Sequence, residues 1–490
     1  MNGKGGVEES KEESQQESFR DSIATINKNG KRNWISPKKP RGSFYKKRTV
    51  VSFLFLLVFF TLPFIKFRGQ PLFLINILER KFILFGVIFW PQDFIIFGVG
   101  MLAFIVFIVL FTVVFGRVFC GWVCPQTVFM EMVFRKIEYA IDGDYTEQQK
   151  LRNQKWNAVK IWKRSLKLGI FFFIAVIIAN TFLTYIIGAD QVLHIVGEPI
   201  ALHPGGFIAM VIFSFVFFGI YTWFREQVCL IVCPYGRLQG VMLDPNSILV
   251  AYDYVRGEPR DKVHRDTKEN LHGDCVDCSL CVKVCPVGID IRNGTQLECT
   301  NCTACIDACD EVMEKVHRPK GLIRYASENG IKNKIALALT GRIKAYSVVL
   351  ILLMGFLTFL LVSRSDVDAT VLRAGGQLFQ EQADGRISNL YTVNVINKTH
   401  NDIPLTFKIE SDDGTIQMVG KDMHVHKESK SETEFFIFRD RKKISFRKTR
   451  ITIGVYSGDK KIQTVHTTFL GPVYDPEEDN SEQGDSTKNK

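Results

Sequence analysis

The 490-residue chain is 46% hydrophobic, carries 40 phenylalanines and has a net charge of +11. Its apolar residues fall in blocks of about 20, the length that crosses a bilayer core. The positive charge therefore reads as basic membrane-flanking loops and not as a nucleic-acid groove, for which no basic segment interleaved with aromatics is present. All 12 cysteines lie in four clusters and none in the long C-terminal region, which excludes a disulfide-stapled secreted protein and points to reduced thiols doing metal work on the cytoplasmic side.

The first stretch, MNGKGGVEESKEESQQESF, is polar and lacks the apolar core of a signal peptide; residues 1–45 are expected as a disordered cytoplasmic tail. KKPRGSFYKKR then flags the inner side of a first span near residues 50–65. Residues 66–92 carry Glu79, Arg80 and Lys81 in their middle, which argues for an outer-face interfacial or re-entrant segment. Glu79 and Arg80, near Trp90, are candidates for a quinone pocket, against the plainer reading of a solvated interfacial face. Further spans are expected at residues 93–115, 168–187, 206–224 and 346–362.

Lys and Arg are dense from 117 to 167, and the loop at 188–205 has neither, so the first should face inward and the second outward. In that outer loop His194 and His203 are candidate copper ligands or ordinary polar residues. Five spans from an inner N-terminus place residues 363–490 outside. There LYTVNVINK, LTFKIES, TEFFIFR, ITIGVYSG and IQTVHTTF alternate between turn signals, which predicts an immunoglobulin-like all-β sandwich. The expected fold class is thus a multi-domain membrane protein. It comprises a cytoplasmic N-terminal tail (1–45), a helical transmembrane bundle (46–250), a cytoplasmic ferredoxin-type domain (251–344), a last helix (345–363), a periplasmic β domain (364–475) and a polar tail (476–490).

Two stretches carry the clearest chemistry. CVDCSLCVKVCP at 275–286 and CTNCTACIDACD at 299–310 repeat C-x2-C-x2-C-x3-C, with Asp310 where proline is usual. In two-cluster ferredoxins three closely spaced cysteines grip one [4Fe-4S] cluster and the fourth reaches the other. By that rule Cys275, Cys278, Cys281 and Cys309 hold one cluster, and Cys299, Cys302, Cys305 and Cys285 hold the second. Structural zinc is the competing reading, but it gives no reason for the repeated C-x3-C ending. Asp310 removes a rigid turn and adds a negative charge that lowers the nearby cluster's potential.

The other four cysteines form a matched pair of motifs. Cys120 and Cys124 lie in FGRVFCGWVCPQ, Cys229 and Cys233 in FREQVCLIVCPYG, each at the inner end of a span. The i,i+4 spacing predicts both thiols on one helix face, with Pro125 and Pro234 ending or kinking that helix. If the two spans pack together, four thiols converge. Such a set suits Cu(I), zinc or another iron–sulfur cluster, or cycles as disulfides; buried cysteine used as a small apolar residue is the plain alternative. Arg117 and Arg225 would favour thiolate there, or else anchor the spans at lipid headgroups.

With CGWVCPQ, CLIVCPYGRLQG, the ferredoxin block and a β-rich tail together, the chain resembles the cytochrome c oxidase accessory proteins of the FixG/CcoG/RdxA type, over most of its length. It is similar, more loosely, to the membrane ferredoxins of nitrate and nitrous-oxide respiration. The resemblance implies a bacterial inner-membrane protein that helps mature cbb(3)-type oxidases by reducing Cu(II) to Cu(I). Cys120, Cys124, Cys229 and Cys233 would hold copper and the eight ferredoxin cysteines would deliver electrons. Oxidase subunits or copper-delivery proteins would be partners, with the electron donor unnamed. A quinol-oxidising respiratory component and a non-enzymatic assembly scaffold are the alternatives.

Overall fold

A computed structural model describes residue 25 and residues 31–472, except 68, 78–80, 263–272, 335–339, 377, 400, 412–413, 421–422, 428 and 445. The chain divides into two compact units, Met1–Thr358 and Phe359–Lys490. Glu79 and Arg80, and the polar tail expected at 476–490, lie outside the described residues.

Among the described residues, five helices are long and apolar enough to cross a membrane. They are α1 (Ser43–Thr61, prolonged by a 3-10 turn to Phe64), α2 (Phe94–Phe115), α3 (Ala158–Ile187), α4 (Pro204–Gly219, continued to Phe224) and α5 (Gly341–Val362). Lipid offers no partner to backbone N–H and C=O groups, so such apolar runs satisfy them internally as helices. Ala175, Ala179 and Thr184 keep one face of α3 small and buried, which allows close helix approach. An aromatic cluster of Phe59, Phe129, Phe134, Phe171 and Tyr221 fills the space between segments, with the Phe134 and Tyr221 rings stacked at 4.5 Å.

Three helices start at least five residues before the apolar pattern does, at Ser43, Ala158 and Gly341, because basic residues in their first turns interrupt the apolar signal. The start of α1 has a specific cause: the carboxylate of Asp307 accepts the amides of Phe44 (3.0 Å) and Tyr45 (2.7 Å), which supplies negative charge to otherwise orphan donors. Gly42 sits at φ 148°, and a Cβ there would collide with Asp307. The tail expected to run to residue 45 is likewise shorter. Residues 31–42 form a strap tied through its carbonyl, hydroxyl and amide groups: Arg152 donates to Trp34 O (2.9 Å) and Ser36 Oγ (2.6 Å), and Lys38 N donates to Lys283 O (2.8 Å).

Residues 66–92 take the form of a small antiparallel sheet, β1 (Phe73–Asn76), β2 (Lys81–Leu84) and β3 (Val87–Phe89), around Leu74, Ile83 and Ile88. The segment carrying the eight regular cysteines is closed by β4 (Leu249–Tyr252) pairing antiparallel with β5 (Ile323–Ala326). Its small core mixes Val250, Ile289, Ile306, Met313 and Leu322 with the cysteines themselves.

The second unit is a two-sheet sandwich. One sheet runs β9 (Thr415–Val419), β11 (Lys430–Asp440), β7 (Arg386–Asn397), β6 (Val367–Arg373); the other runs β10 (Met423–Val425), β8 (Ile403–Ile409), β12 (Lys448–Ser457), β13 (Lys460–Leu470). Inward residues alternate along each strand, giving a core with Tyr391, Phe435, Ile451 and Phe469 fully buried. Phe435→Ala should cost about 3–5 kcal/mol through lost contacts and a cavity. Calorimetry of the full chain should show the β-domain transition falling while iron and sulfide content stay unchanged.

Candidate metal centre

The two ferredoxin motifs share one backbone shape. The residues on either side of the second cysteine are left-handed in both: Asp277 (φ 45°) and Ser279 (φ 53°), then Asn301 (φ 54°) and Thr303 (φ 64°). Each such non-glycine conformation costs about 1 kcal/mol or more and persists only where the surroundings impose it. The turns set Cys278, which stays exposed, and the half-buried Cys302 at the cavity edges, and helices beginning at Leu280 and Ala304 then carry Cys281 and Cys305.

Two cavities of near-equal size result. Cys275, Cys278, Cys281 and Cys309 border one, and Cys281, Cys285, Cys299, Cys302 and Cys305 border the other. Each cavity thus takes its fourth cysteine from the opposite motif. The donor set fits a cubane better than a single ion. At least four soft sulfurs ring each space, yet among the described residues no three of His, Cys, Asp or Glu converge closely enough to hold one metal ion. Cys309 sits inside the helix Ala304–Lys315, which runs on past it because Asp310 stands where proline is usual. The Asp310 carboxylate accepts the Gly321 amide (2.8 Å).

Burial dominates the acidity of these thiols. It pushes Cys299 up to about 11 and Cys281 and Cys309 up to about 12, and it raises Cys285 and Cys305 further. Arg292 beside the first cavity opposes the rise at Cys281; it is tied to Asp277 (2.5 Å) and Asp290 (2.7 Å). At neutral pH these thiols are protonated, so metal binding displaces protons.

The membrane-edge motifs are also a structural repeat. Four residues before the first cysteine of each, Gly116 (φ 54°, ψ −128°) and Arg225 (φ 53°, ψ −123°) break the preceding helix identically. A short helical turn then carries Cys120 or Cys229. Cys124 (ψ 126°) and Cys233 (ψ 110°) are extended, and Pro125 and Pro234 open the next helix. This corrects the one-face expectation: each proline is the first residue of a new helix, where its missing N–H does no harm, and the old helix stops before the second cysteine. The four thiols nonetheless gather within electrostatic reach, Cys229 of Cys124, Cys120 and Cys233, and Cys120 of Cys124 and Cys233, although, as at the ferredoxin sites, no three of them converge closely enough to hold a single metal ion.

The expected activation by the two arginines is also corrected. Arg117 does pull Cys120 down, but burial outweighs it and leaves that thiol at about 11; Cys229 stands at about 12. Arg225 is committed elsewhere, in a bidentate pair with Glu138 (2.7 Å each). Both arginines are buried, so neither anchors a lipid headgroup.

The first membrane-edge motif docks directly on the second cluster loop. Gly121 lies so close to the carbonyls of Thr300 and Asn301 that a Cβ would clash with them. Arg48 donates to Gly121 O (2.7 Å), Trp122 Nε1 to Tyr325 OH (3.1 Å), and Tyr325 OH to Asn301 O (3.4 Å). Arg117 bonds Gln239 (3.1 Å) and the Leu297 carbonyl, while Cys120 Sγ donates to Gln239 Oε1 (3.1 Å). Gly121, Arg48, Asp307 and Gln239 were not singled out from sequence; only the glycine inside CGWVC was a visible signal. His194 and His203 do meet, both bonding the exposed Glu198 carboxylate at 2.8 Å, but the trio is not arranged to hold a metal ion.

Two outcomes follow. Gly121→Val should destabilise the docked loop by about 1–3 kcal/mol, the usual range for overpacking, seen as a lower melting temperature and reduced iron content. Metal-stripped protein should lose stability in alkali. Its folded thiols hold protons that unfolded thiols, at about 8.5, release. That stabilisation is full below about 8.5 and disappears as pH rises through 11 to 12. Each thiol contributes a slope of at most about 1.4 kcal/mol per pH unit. Urea titrations between pH 7 and 10.5 should show the decline in stripped protein and not in loaded protein.

Comparison with known proteins agrees with this layout. Residues 224–328 match the family model of a 4Fe-4S dicluster domain, residues 97–144 that of a 4Fe-4S binding domain, and residues 357–472 that of an immunoglobulin-like fold at the C-terminus of FixG. Protein RdxA of Cereibacter sphaeroides is 34% identical over 390 residues, covering 75% of this chain and 80% of that protein. Nitrogen fixation protein FixG of Rhizobium meliloti is 34% identical over 424 residues, 78% of this chain and 80% of that protein. A crystal structure of a FixG-related protein from Vibrio parahaemolyticus aligns with 22% of this chain and 100% of that one, at 22% identity and a TM-score of 0.19. The chain belongs to the FixG family: it is a membrane-bound iron–sulfur electron-transfer protein with an immunoglobulin-like C-terminal domain.

Proposed function

We propose that the protein reduces Cu(II) to Cu(I) for the assembly of a cbb(3)-type oxidase. Cys275, Cys278, Cys281 and Cys309 hold one [4Fe-4S] cluster, and Cys285, Cys299, Cys302 and Cys305 the other. When bound, the clusters supply single electrons, which match a one-electron reduction of copper. Cys120, Cys124, Cys229 and Cys233 receive the copper, and soft thiolates stabilise the Cu(I) product. The observation that carries the reading is the seating of Gly121, between Cys120 and Cys124, against Thr300 and Asn301 of the second cluster loop. It supports the reading by seating the loop between Cys120 and Cys124 on the loop that carries Cys299 and Cys302.

The dense Lys and Arg between 117 and 167 and their absence from 188–205 support an inner-membrane protein with a cytoplasmic N-terminus. On that topology the ferredoxin segment at 251–344 is cytoplasmic and the β domain at 364–475 is periplasmic, where an oxidase subunit or copper-delivery protein would meet it. One observation favours a second occupant for the four-thiol set: residues 97–144, which include Cys120 and Cys124, match a 4Fe-4S binding domain. A third cluster there would place about twelve irons on the chain instead of about eight.

The test uses anaerobically purified protein, reduced, desalted and mixed with Cu(II) and a Cu(I)-specific chelator. The native chain should reduce copper at least tenfold faster than the variant with Cys120, Cys124, Cys229 and Cys233 all replaced by serine, with about eight irons in both. Equal rates would remove the copper role, and about twelve irons in the native chain falling to about eight in the variant would replace it with a third cluster.

A further inference from the structure

A third cavity in the first unit, of about 430 Å³, belongs to none of the cysteine sites. Its charged border consists of Glu138, Asp142, Arg152, Arg164, Lys167 and Arg225, four cations against two carboxylates. Both carboxylates are already matched. Glu138 takes the bidentate pair from Arg225 (2.7 Å each), and Asp142 accepts Lys167 Nζ (2.5 Å). Arg152 and Arg164 are left without a counter-charge.

Arg152 sits in the last turn of the helix Tyr145–Asn153 and donates to neutral oxygens, Trp34 O (2.9 Å) and Ser36 Oγ (2.6 Å). Those bonds fix its position but do not offset its charge. Burial, then the like charges of Arg164 and Arg225, hold it below the usual arginine range, and Glu138 and Tyr145 do not reverse the shift. Arg164 is exposed near the start of α3 and makes no hydrogen bond or ion pair among the described residues. Its guanidinium carbon lies 5.9 Å from the Trp156 ring centroid. Guanidiniums with spare donors and like-charged neighbours match an anion with several acceptor oxygens, above all a phosphate.

The same cavity has an apolar side. Leu168 and Phe171 on α3, and Trp223 at the end of the fourth span, also border it. Arg164, Leu168 and Phe172 are spaced i,i+4 and share one stripe of α3, cationic at its start and apolar two turns on. Phe172 packs on Phe215 of α4, their ring centroids 5.4 Å apart. Leu168, Phe172, Phe215 and Trp223 are 40%, 37%, 55% and 59% exposed. The stripe thus leads from a positive cavity onto the outer apolar wall of two membrane helices. Trp156, Trp162 and Trp223 are all exposed around it, and tryptophans gather at headgroup level. Basic pockets between membrane helices at that depth suit anionic headgroups. A soluble phosphate would leave the apolar side unused. A zwitterionic headgroup would bring its ammonium toward two unmatched guanidiniums.

We propose that this cavity binds the headgroup of an anionic phospholipid, with Arg164 and Arg152 donating to its phosphate and its acyl chains lying along Leu168, Phe172 and Phe215. The assignment goes beyond the electron-transfer reading above and does not depend on it.

The test uses full-length, iron-loaded protein in detergent, stripped of lipid. It is titrated with dioleoylphosphatidylglycerol, dioleoylphosphatidylcholine or inorganic phosphate, and retained ligand is counted by native mass spectrometry. One phosphatidylglycerol per chain should bind at least tenfold more tightly than phosphatidylcholine, and excess phosphate should not displace it. Arg164→Gln should remove that preference, and Arg164→Lys should keep part of it. Lys163→Gln, one residue along α3 and outside the cavity border, should bind as native. Iron content should be native in all three variants, which separates a lost site from a lost fold. The proposal is overturned if the two lipids bind alike, if Arg164→Gln binds phosphatidylglycerol as native does, or if Lys163→Gln weakens it as much as Arg164→Gln. It is also overturned if phosphate occupies the site and phosphatidylglycerol does not compete, which would mark a soluble anion as the occupant.

Discussion

Gly121 against the carbonyls of Thr300 and Asn301 is a backbone-to-backbone contact with no room for a side chain. It brings a loop at the end of a membrane helix onto a loop of the ferredoxin segment. Arg48, buried at 3% exposure, spends its Nε on the Gly121 carbonyl and so pins α1 to the same junction. Trp122 and Tyr325 extend it through a chain of hydrogen bonds to Asn301. Close packing at this junction leaves the docked loops no freedom to separate without exposing buried backbone.

The first helix is held from the same direction. Asp307 lies between Cys305 and Cys309, yet its carboxylate caps the start of α1. One turn of helix therefore presents sulfur to both cavities and a negative charge to a membrane span. A buried carboxylate without such donors would be costly; two backbone amides at a helix N-terminus satisfy it and align with the local dipole.

The duplicated membrane-edge motif shows how a repeat survives unequal chemistry. Gly116 adopts its positive φ freely, whereas Arg225 at the equivalent position meets a steric cost of about 1–3 kcal/mol. Arg225 is held there by its bidentate pair with Glu138, itself drawn down to about 2 by Arg225, Arg135 and Lys167 against the opposing effect of burial. A paired and desolvated arginine can hold a backbone conformation that its own side chain disfavours, but removing its partner would leave a buried charge.

Much of this protein could be read along the chain. The spans declare themselves because lipid demands about 20 apolar residues in a row, and the β domain because alternating strands must bury one face. The eight regular cysteines and the two C-x3-C-P units are local patterns whose spacing is set by what they enclose. Other features depend on residues far apart in sequence. The start of α1 is decided by Asp307, more than 250 positions away, and the strap at residues 31–42 by Arg152 and Lys283. The i,i+4 spacing of Cys120 and Cys124 suggested a shared helix face, but the positive φ at Gly116 and the proline after Cys124 divide that helix. Sequence by itself determined which residues are apolar, which are thiols and how they are spaced, since those are properties of neighbours along the chain. Only the tertiary structure decided where the first helix starts, where the helices at Cys120 and Cys229 break and which arginine is neutralised, because burial and pairing depend on segments brought together by folding.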